Sequence, residues 1–169
     1  MSDLQCECRV PFAWHAAGAE DAAARAGAVH QATLLLDAIN QMEAGSHEGE
    51  PSESGQKRLE RLEAKLDLAL HLLARSLQPA VTLPECVVWL SPEEAAWQDD
   101  APPIPGTDLE LELRLSAALP LTLRLPAVAV AAEGGRARAR FVEPTEALSE
   151  ALYQFVFRRH RQALRARNA

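Results

Sequence analysis

Residues 109–115 read LELELRL. Leu109, Leu111, Leu113 and Leu115 alternate without a fault with Glu110, Glu112 and Arg114, the pattern of a β-strand with one face buried and the other in water. Working outward, Leu121 to Leu125 repeats the alternation, which runs on after Pro126 as a Val/Ala stretch to Ala132. Gly134-Gly135 then reads as a hairpin turn, with Arg136 to Val142 as the returning strand. Upstream, Glu85 to Leu90 predicts a first strand, Ser91 to Glu94 a turn, and Ala95 to Gln98 a short second strand. Residues 99–107, DDAPPIPGT, form a proline-rich loop. Short antiparallel strands joined by turns predict a small barrel.

The flanking language is helical. Lys57 to Leu77, KRLERLEAKLDLALHLLARSL, has no Gly or Pro and consists almost wholly of strong helix formers. Leu59, Leu62, Leu66, Ala69 and Leu73 recur at spacings of three and four, about two heptads of seam. Lys57 with Glu60 and Asp67 with His71 add intrahelical pairs. Gln78-Pro79 ends the helix. An Ala-rich helix over roughly Glu20 to Glu43 precedes it, with Ala24, Ala28, Leu35, Leu36, Ile39 and Met42 on a shared face. Residues 44–56, AGSHEGEPSESGQ, carry nothing to bury and read as a linker. A last helix is capped by Thr145 and lined by Leu148, Leu152, Phe155 and Val156, with Tyr153 and Phe157 widening its apolar face. The predicted class is α+β: an antiparallel barrel with long flanking helices. The predicted division is 1–56 (extended segment, Ala-rich helix and linker), 57–78 (long helix) and 79–169 (barrel with C-terminal helix).

Composition narrows the function classes. The 169 residues carry a net charge of -7, which argues against a partner that is a nucleic-acid polymer. An apolar fraction of 48% supports a core, filled by aliphatic side chains because few residues are aromatic. No secretory signal opens the sequence and no apolar run approaches the ~20 residues of a membrane span. A bacterial-style cytoplasm is the expected address, without membrane insertion.

No nucleophile elbow, glycine-rich phosphate loop or HExxH motif is present, so no catalytic residue is assigned and no enzyme is expected. Glu93-Glu94 and Asp99-Asp100 read as solvated loop carboxylates. Cys6 and Cys8 point to one face of the extended segment at residues 4–14, where Pro11 predicts an edge strand or a break. The two thiols could be half of a metal site. Zinc wants a second paired cluster, however, and Cys86 is single. They therefore read as small apolar core side chains, and no metal is expected. His30 reads as a helix-surface residue, His47 as solvated, and His160 as part of a cationic helix face. Arg158, Arg159, Arg161, Arg165 and Arg167 make the chain's end basic, partly in complement to the helix macrodipole.

The helix LEAKLDLALHLLARSL, the strand and turn VVWLSPEEAAW and the closing helix ALYQFVFRRHRQALRAR, in that order, resemble the atypical PilZ domain group over about residues 4–167. The resemblance implies a barrel of about six strands and a non-catalytic receptor for cyclic di-GMP. The ordinary family uses R-x-x-x-R before the barrel and D/N-x-S-x-x-G on its opening strand and turn. Here Ser91 matches the motif serine, Trp89 stands at the Asp/Asn position and Glu94 at the glycine. Arg61 with Lys65 and His71 with Arg75 have the arginine-pair spacing but lie on the helix.

Two readings follow. In the first, the nucleotide motif is degenerate, the usual cyclic di-GMP mode is not expected, and no cofactor is required. The chain then works through homo-oligomerisation along Leu59, Leu62, Leu66, Ala69 and Leu73, and through a signalling-protein partner. In the alternative, it binds cyclic di-GMP through a non-standard arginine site: Arg136, Arg138 and Arg140, or Arg158, Arg159 and Arg161, with Ser91 as a remnant.

Overall fold

The period-two segments become strands in the computed structural model, and the barrel they form takes in one more segment than the sequence division allowed. The structure describes residues 4–18, 22–44, 82–117, 119, 121–142 and 144–167, with Leu62, Lys65, Leu66 and Ala69 between the first two blocks and the rest. The strands are β1 (Cys6–Ala16), β2 (Glu85–Leu90), β3 (Glu94–Gln98), β4 (Asp108–Leu113), β5 (Leu123–Glu133) and β6 (Arg136–Phe141). They close in the order β1-β2-β3-β6-β5-β4, with every pair antiparallel.

Closure depends on β1. Its first half registers with β2, from Cys6↔Leu90 to Pro11↔Glu85, and its second half with β4, from Phe12↔Leu113 to Ala16↔Leu109. Pro11 stands at the changeover, and its carbonyl still accepts the Arg114 N–H at 3.0 Å. Pro11 therefore marks neither an edge nor a break, because a closed barrel has no edge strand. The barrel starts at Cys6 rather than at residue 79, so the boundary drawn at 79 does not separate barrel from extension. The β5–β6 turn needs glycine, since Gly134 and Gly135 both have positive φ (60° and 78°).

Inward residues fill the barrel. Val88, Leu90, Leu109, Leu111, Leu113, Leu123 and Leu125 are all buried, beside the small Ala127, Ala129, Ala137 and Ala139. Trp97 is the largest buried side chain, tilted against Phe12 at 5.1 Å and Trp14 at 6.3 Å between ring centres. Indole N–H groups need an acceptor when they leave water. Asp99 supplies it to both, through Oδ2 to Trp14 Nε1 and to Trp97 Nε1 (3.0 Å), while Oδ1 accepts the Ala101 N–H at 2.9 Å. Asp99 is thus an anchor for the two rings and not a carboxylate that needs only solvent.

Two helices complete the described fold: α1 (Ala22–Ala44) and α2 (Glu146–Arg167). They pack on each other, α1 also on β5 and α2 on β1. The face that α1 buries carries Val29, Ala32, Leu35, Leu36 and Ile39, whereas Ala24 and Met42 are exposed. The polar Asn40 joins the buried set and donates to the Ala151 carbonyl of α2 at 3.0 Å. Leu35, Leu36 and Ile39 lie on the face that apolar periodicity picked out, and Val29, Ala32 and Asn40 extend the buried stripe beyond it. Thr145 Oγ1 accepts the Leu148 N–H at 3.2 Å, the geometry of an N-cap. Leu148, Ala151, Leu152, Phe155 and Val156 are buried, but Tyr153 and Phe157 are exposed and stack on each other at 6.0 Å. These two rings form a surface pair rather than widening the core contact.

Burial pushes the Asp99 carboxyl up, but the Ala101 N–H and then the two indoles more than offset it and hold it below its ordinary value of 3.8. A group with a depressed folded-state pKa contributes stability above its unfolded pKa and loses it as pH falls through the folded one. Asp99→Asn is expected to lower the urea midpoint at pH 7, and the gap to wild type should narrow as pH drops below the ordinary carboxylate range. Urea titrations across pH 2–7 check this, and a gap independent of pH contradicts it.

Candidate functional site

The hairpin joining β2 to β3 is built by one hydroxyl. Ser91 Oγ accepts the Glu93 and Glu94 N–H groups at 3.3 and 3.0 Å and donates to the Glu94 carbonyl at 3.1 Å. The Ser91 N–H reaches the same carbonyl at 2.9 Å. This is the local side-chain turn that Ser forms where strands reverse. The side chain is buried and its hydrogen-bonding capacity goes into the turn.

Because Ala95, Trp97, Ala137 and Ala139 face inward, alternation turns Glu94, Arg136, Arg138 and Arg140 outward. Trp89 lies on the same outer face of β2. In register, Glu7, Trp89, Ala96 and Arg138 form one row across β1, β2, β3 and β6. Ala96 faces outward yet is buried, with bulky neighbours on both sides of the row. Trp89 donates its indole N–H to Glu7 Oε2 at 2.9 Å, and the Arg136 guanidinium lies 3.6 Å from the Trp89 ring centre. Arg138 Nη2 donates to both carboxylate oxygens of Glu94, at 3.0 and 2.8 Å, while its Nη1 holds Glu133 Oε2. Such a charge-assisted hydrogen bond is stronger than a neutral one. Glu94 is therefore a partner of Arg138 and not a solvated loop carboxylate. Arg140 lies further along this face, in a cleft with Pro92, Glu93, Phe141, Glu150 and Tyr153.

The other three arginines stand elsewhere, on α2. Arg158 and Arg159 both hold the Glu43 carboxylate at the end of α1, at 3.3 and 2.7 Å, and Arg158 also reaches Asn40 Oδ1. Arg159 Nη2 lies 3.4 Å from the Leu115 carbonyl, its guanidinium 5.3 Å from the Phe155 ring. Arg158 and Arg159 thus latch α1 to α2. Arg161 projects over the Phe157 ring at 5.6 Å. His160 Nδ1 lies 3.1 Å from the Gln5 carbonyl, so it joins α2 to the start of the barrel. The structure brings Ser91, Arg136, Arg138 and Arg140 to one side of the barrel and sets Arg158 and Arg159 at the helix joint.

Sequence reasoning missed Glu43, Glu94 and Glu133 as the partners of these arginines. For Glu94 the signal is cross-strand register, which places it beside Arg140 and diagonal to Arg138. Glu43 and its arginines are more than 100 residues apart, beyond any local pattern. One further cluster among the described residues has the donors for a metal: His15, Glu110 and Glu112, with ligand atoms within 4.8 Å of one another. Arg124 lies on both carboxylates, at 3.4 and 3.0 Å, and supplies the positive charge there.

Of the predicted oligomer seam, Leu62, Leu66 and Ala69 are described. All three are helical and exposed, the two leucines at 57% and 60%. Their spacings of four and three put them on one stripe. Leu59 and Leu73, the pairs Lys57–Glu60 and Asp67–His71, and His47 lie outside the described residues.

A closed antiparallel barrel with a flanking helix pair, and with a serine-centred turn opening onto an arginine-bearing outer face, defines a PilZ-type domain. The chain belongs to the atypical PilZ domain family, described as cyclic di-GMP receptors, whose profile matches residues 33–168. Among solved structures it is similar to a pathogenic protein from Xanthomonas campestris, described as a new tetrameric PilZ domain self-assembled via an unusual helical bundle. The two share 28% identity over 97% of this chain and 92% of the other, with a TM-score of 0.68. The curated proteins give no match.

Proposed function

We propose that this chain is a non-catalytic cytoplasmic signalling adaptor of the PilZ type, whose nucleotide position is held by its own side chains and whose work is done by self-association and by binding another signalling protein. Two substitutions carry the first part of that reading. Glu94, at the motif glycine, offers Arg138 the two oxygens that a phosphate would offer, and Trp89, at the motif Asp/Asn, offers Arg136 the flat face that a guanine would offer. A negatively charged dinucleotide arriving here has to displace a carboxylate. No helix among the described residues is long and apolar enough to cross a membrane.

The observation that carries self-association is the exposed helical stripe of Leu62, Leu66 and Ala69. Covering a leucine contributes about 1.5–3 kcal/mol when burial is complete, so the same stripe met from several copies favours association. The assembly of the Xanthomonas protein through a helical bundle supports this reading. Light scattering on the full chain at micromolar concentration is expected to give a multiple of 18.4 kDa. Leu62→Glu with Leu66→Glu should reduce it to one chain with the barrel's thermal transition retained. A single-chain mass for the wild type contradicts the proposal, and unfolding of the variant assigns the stripe to the chain's own core.

The family description favours a second reading, in which cyclic di-GMP does bind, through Arg136, Arg138 and Arg140 or through Arg158, Arg159 and Arg161. Isothermal titration separates the two. The adaptor reading expects no heat at cyclic di-GMP concentrations on the order of tens of micromolar. Binding that is lost on Arg138→Ala or Arg158→Ala establishes the receptor reading instead.

A further inference from the structure

Cys6 and Cys8 occupy neighbouring inward positions of β1, opposite Leu90 and Val88 of β2. Cys6 is buried, as a small core side chain should be, but Cys8 is only half-buried, and the two sulfurs touch at 3.5 Å. Cys86 lies apart from this contact, opposite Val10 and bonded to the Val87 carbonyl. The Arg159 guanidinium acts on both thiols of the pair. The hydrogen bond between the two sulfurs lowers the Cys8 thiol and raises Cys6, so Cys8 is the readier of the two to give up its proton to a metal.

What two such sulfurs can do is decided by the strand beneath them. Residues two apart on a strand have Cα atoms about 6.6–6.8 Å apart. That spacing is at the top of the about 4.4–6.8 Å that a disulfide spans between Cα atoms, and the Cβ atoms would have to close to about 3.5–4.5 Å, so a disulfide here would be strained. A metal bridging two sulfurs has the opposite requirement. With metal–sulfur bonds of about 2.3 Å, a linear bridge spans about 4.6 Å, and the thiols reach it by swinging apart toward their natural strand spacing.

Ligand count then selects the ion. The carboxylates whose charge reaches Cys8 are Glu43 and Glu7, and both are engaged: Glu43 by Arg158 and Arg159, Glu7 by Trp89. Zinc requires four ligands, whereas a soft monovalent ion is satisfied by two thiolates. We infer that Cys6 and Cys8 form a two-thiolate site for Cu(I). In loading, two S–H bonds break, two S–Cu bonds form and two protons leave. No electron is transferred. The bis-thiolate centre carries one net negative charge, which Arg159 faces.

The test is competition, without oxygen and with ascorbate present, between the full chain and the coloured Cu(I)–bicinchoninate complex. One Cu(I) per chain should pass to the protein, with the complex bleaching accordingly. Cys8→Ser, at the half-exposed position, should abolish the transfer, and Cys86→Ser should leave it unchanged. X-ray absorption on the loaded wild type should show two sulfur neighbours, which keeps the inference open to test even if the Cys6 or Cys8 variants fail to fold. Retention of all the copper by the chelator overturns the inference. So does equal loss in Cys86→Ser, or a coordination shell of nitrogen and oxygen. Reversible loss of two hydrogens under mild oxidant, without copper transfer, also overturns it and assigns the pair to disulfide chemistry.

Discussion

Closure of the barrel through β1 is the constraint on which the other features rest. A sheet of β2 to β6 alone would leave open edges at β2 and β4, and an unpaired edge is a template for aggregation. β1 pairs with both, dividing its length at Pro11. Closure fixes which way every side chain on the six strands points. Leucines and alanines fill the interior, and the charged members of each alternating run meet their cross-strand partners on the outside. The Arg138–Glu94 ion pair and the Arg136–Trp89 stack are consequences of that register.

Most of the fold was legible because its signals are local. The alternation from Leu109 and from Leu121, the Gly134-Gly135 turn and the Thr145 cap each need only a few neighbouring residues to be read. β1 was visible as an extended segment, but its place in the barrel depends on contacts with β2 and β4, more than 70 residues away. Apolar periodicity found Leu35, Leu36 and Ile39 of the buried face of α1 but missed Asn40, which is polar. Its buried bond to Ala151 depends on α2, which the local sequence does not show.

The site was legible in outline and not in substance. Ser91 and the outward arginines of β6 could be picked out by motif and alternation. That Ser91 serves the turn, that Glu94 takes Arg138 and that Glu43 takes Arg158 and Arg159 are facts of three-dimensional register and helix packing. Opposite charges brought together this way change what a basic patch means: these arginines connect parts of the chain. A polybasic ligand site and a self-paired framework have the same composition, and only their partners tell them apart.

The proposed adaptor role therefore stands on the claim that the position used for a nucleotide in the ordinary family is held from within. A double-mutant cycle on Glu94→Ala and Arg138→Ala, read by urea unfolding, tests that claim most directly. A pair that holds the position gives a coupling above about 0.5 kcal/mol, as residues in one ion-pair network do. Effects that add to within about 0.3–0.5 kcal/mol mean that Arg138 is not held by Glu94, and the account fails.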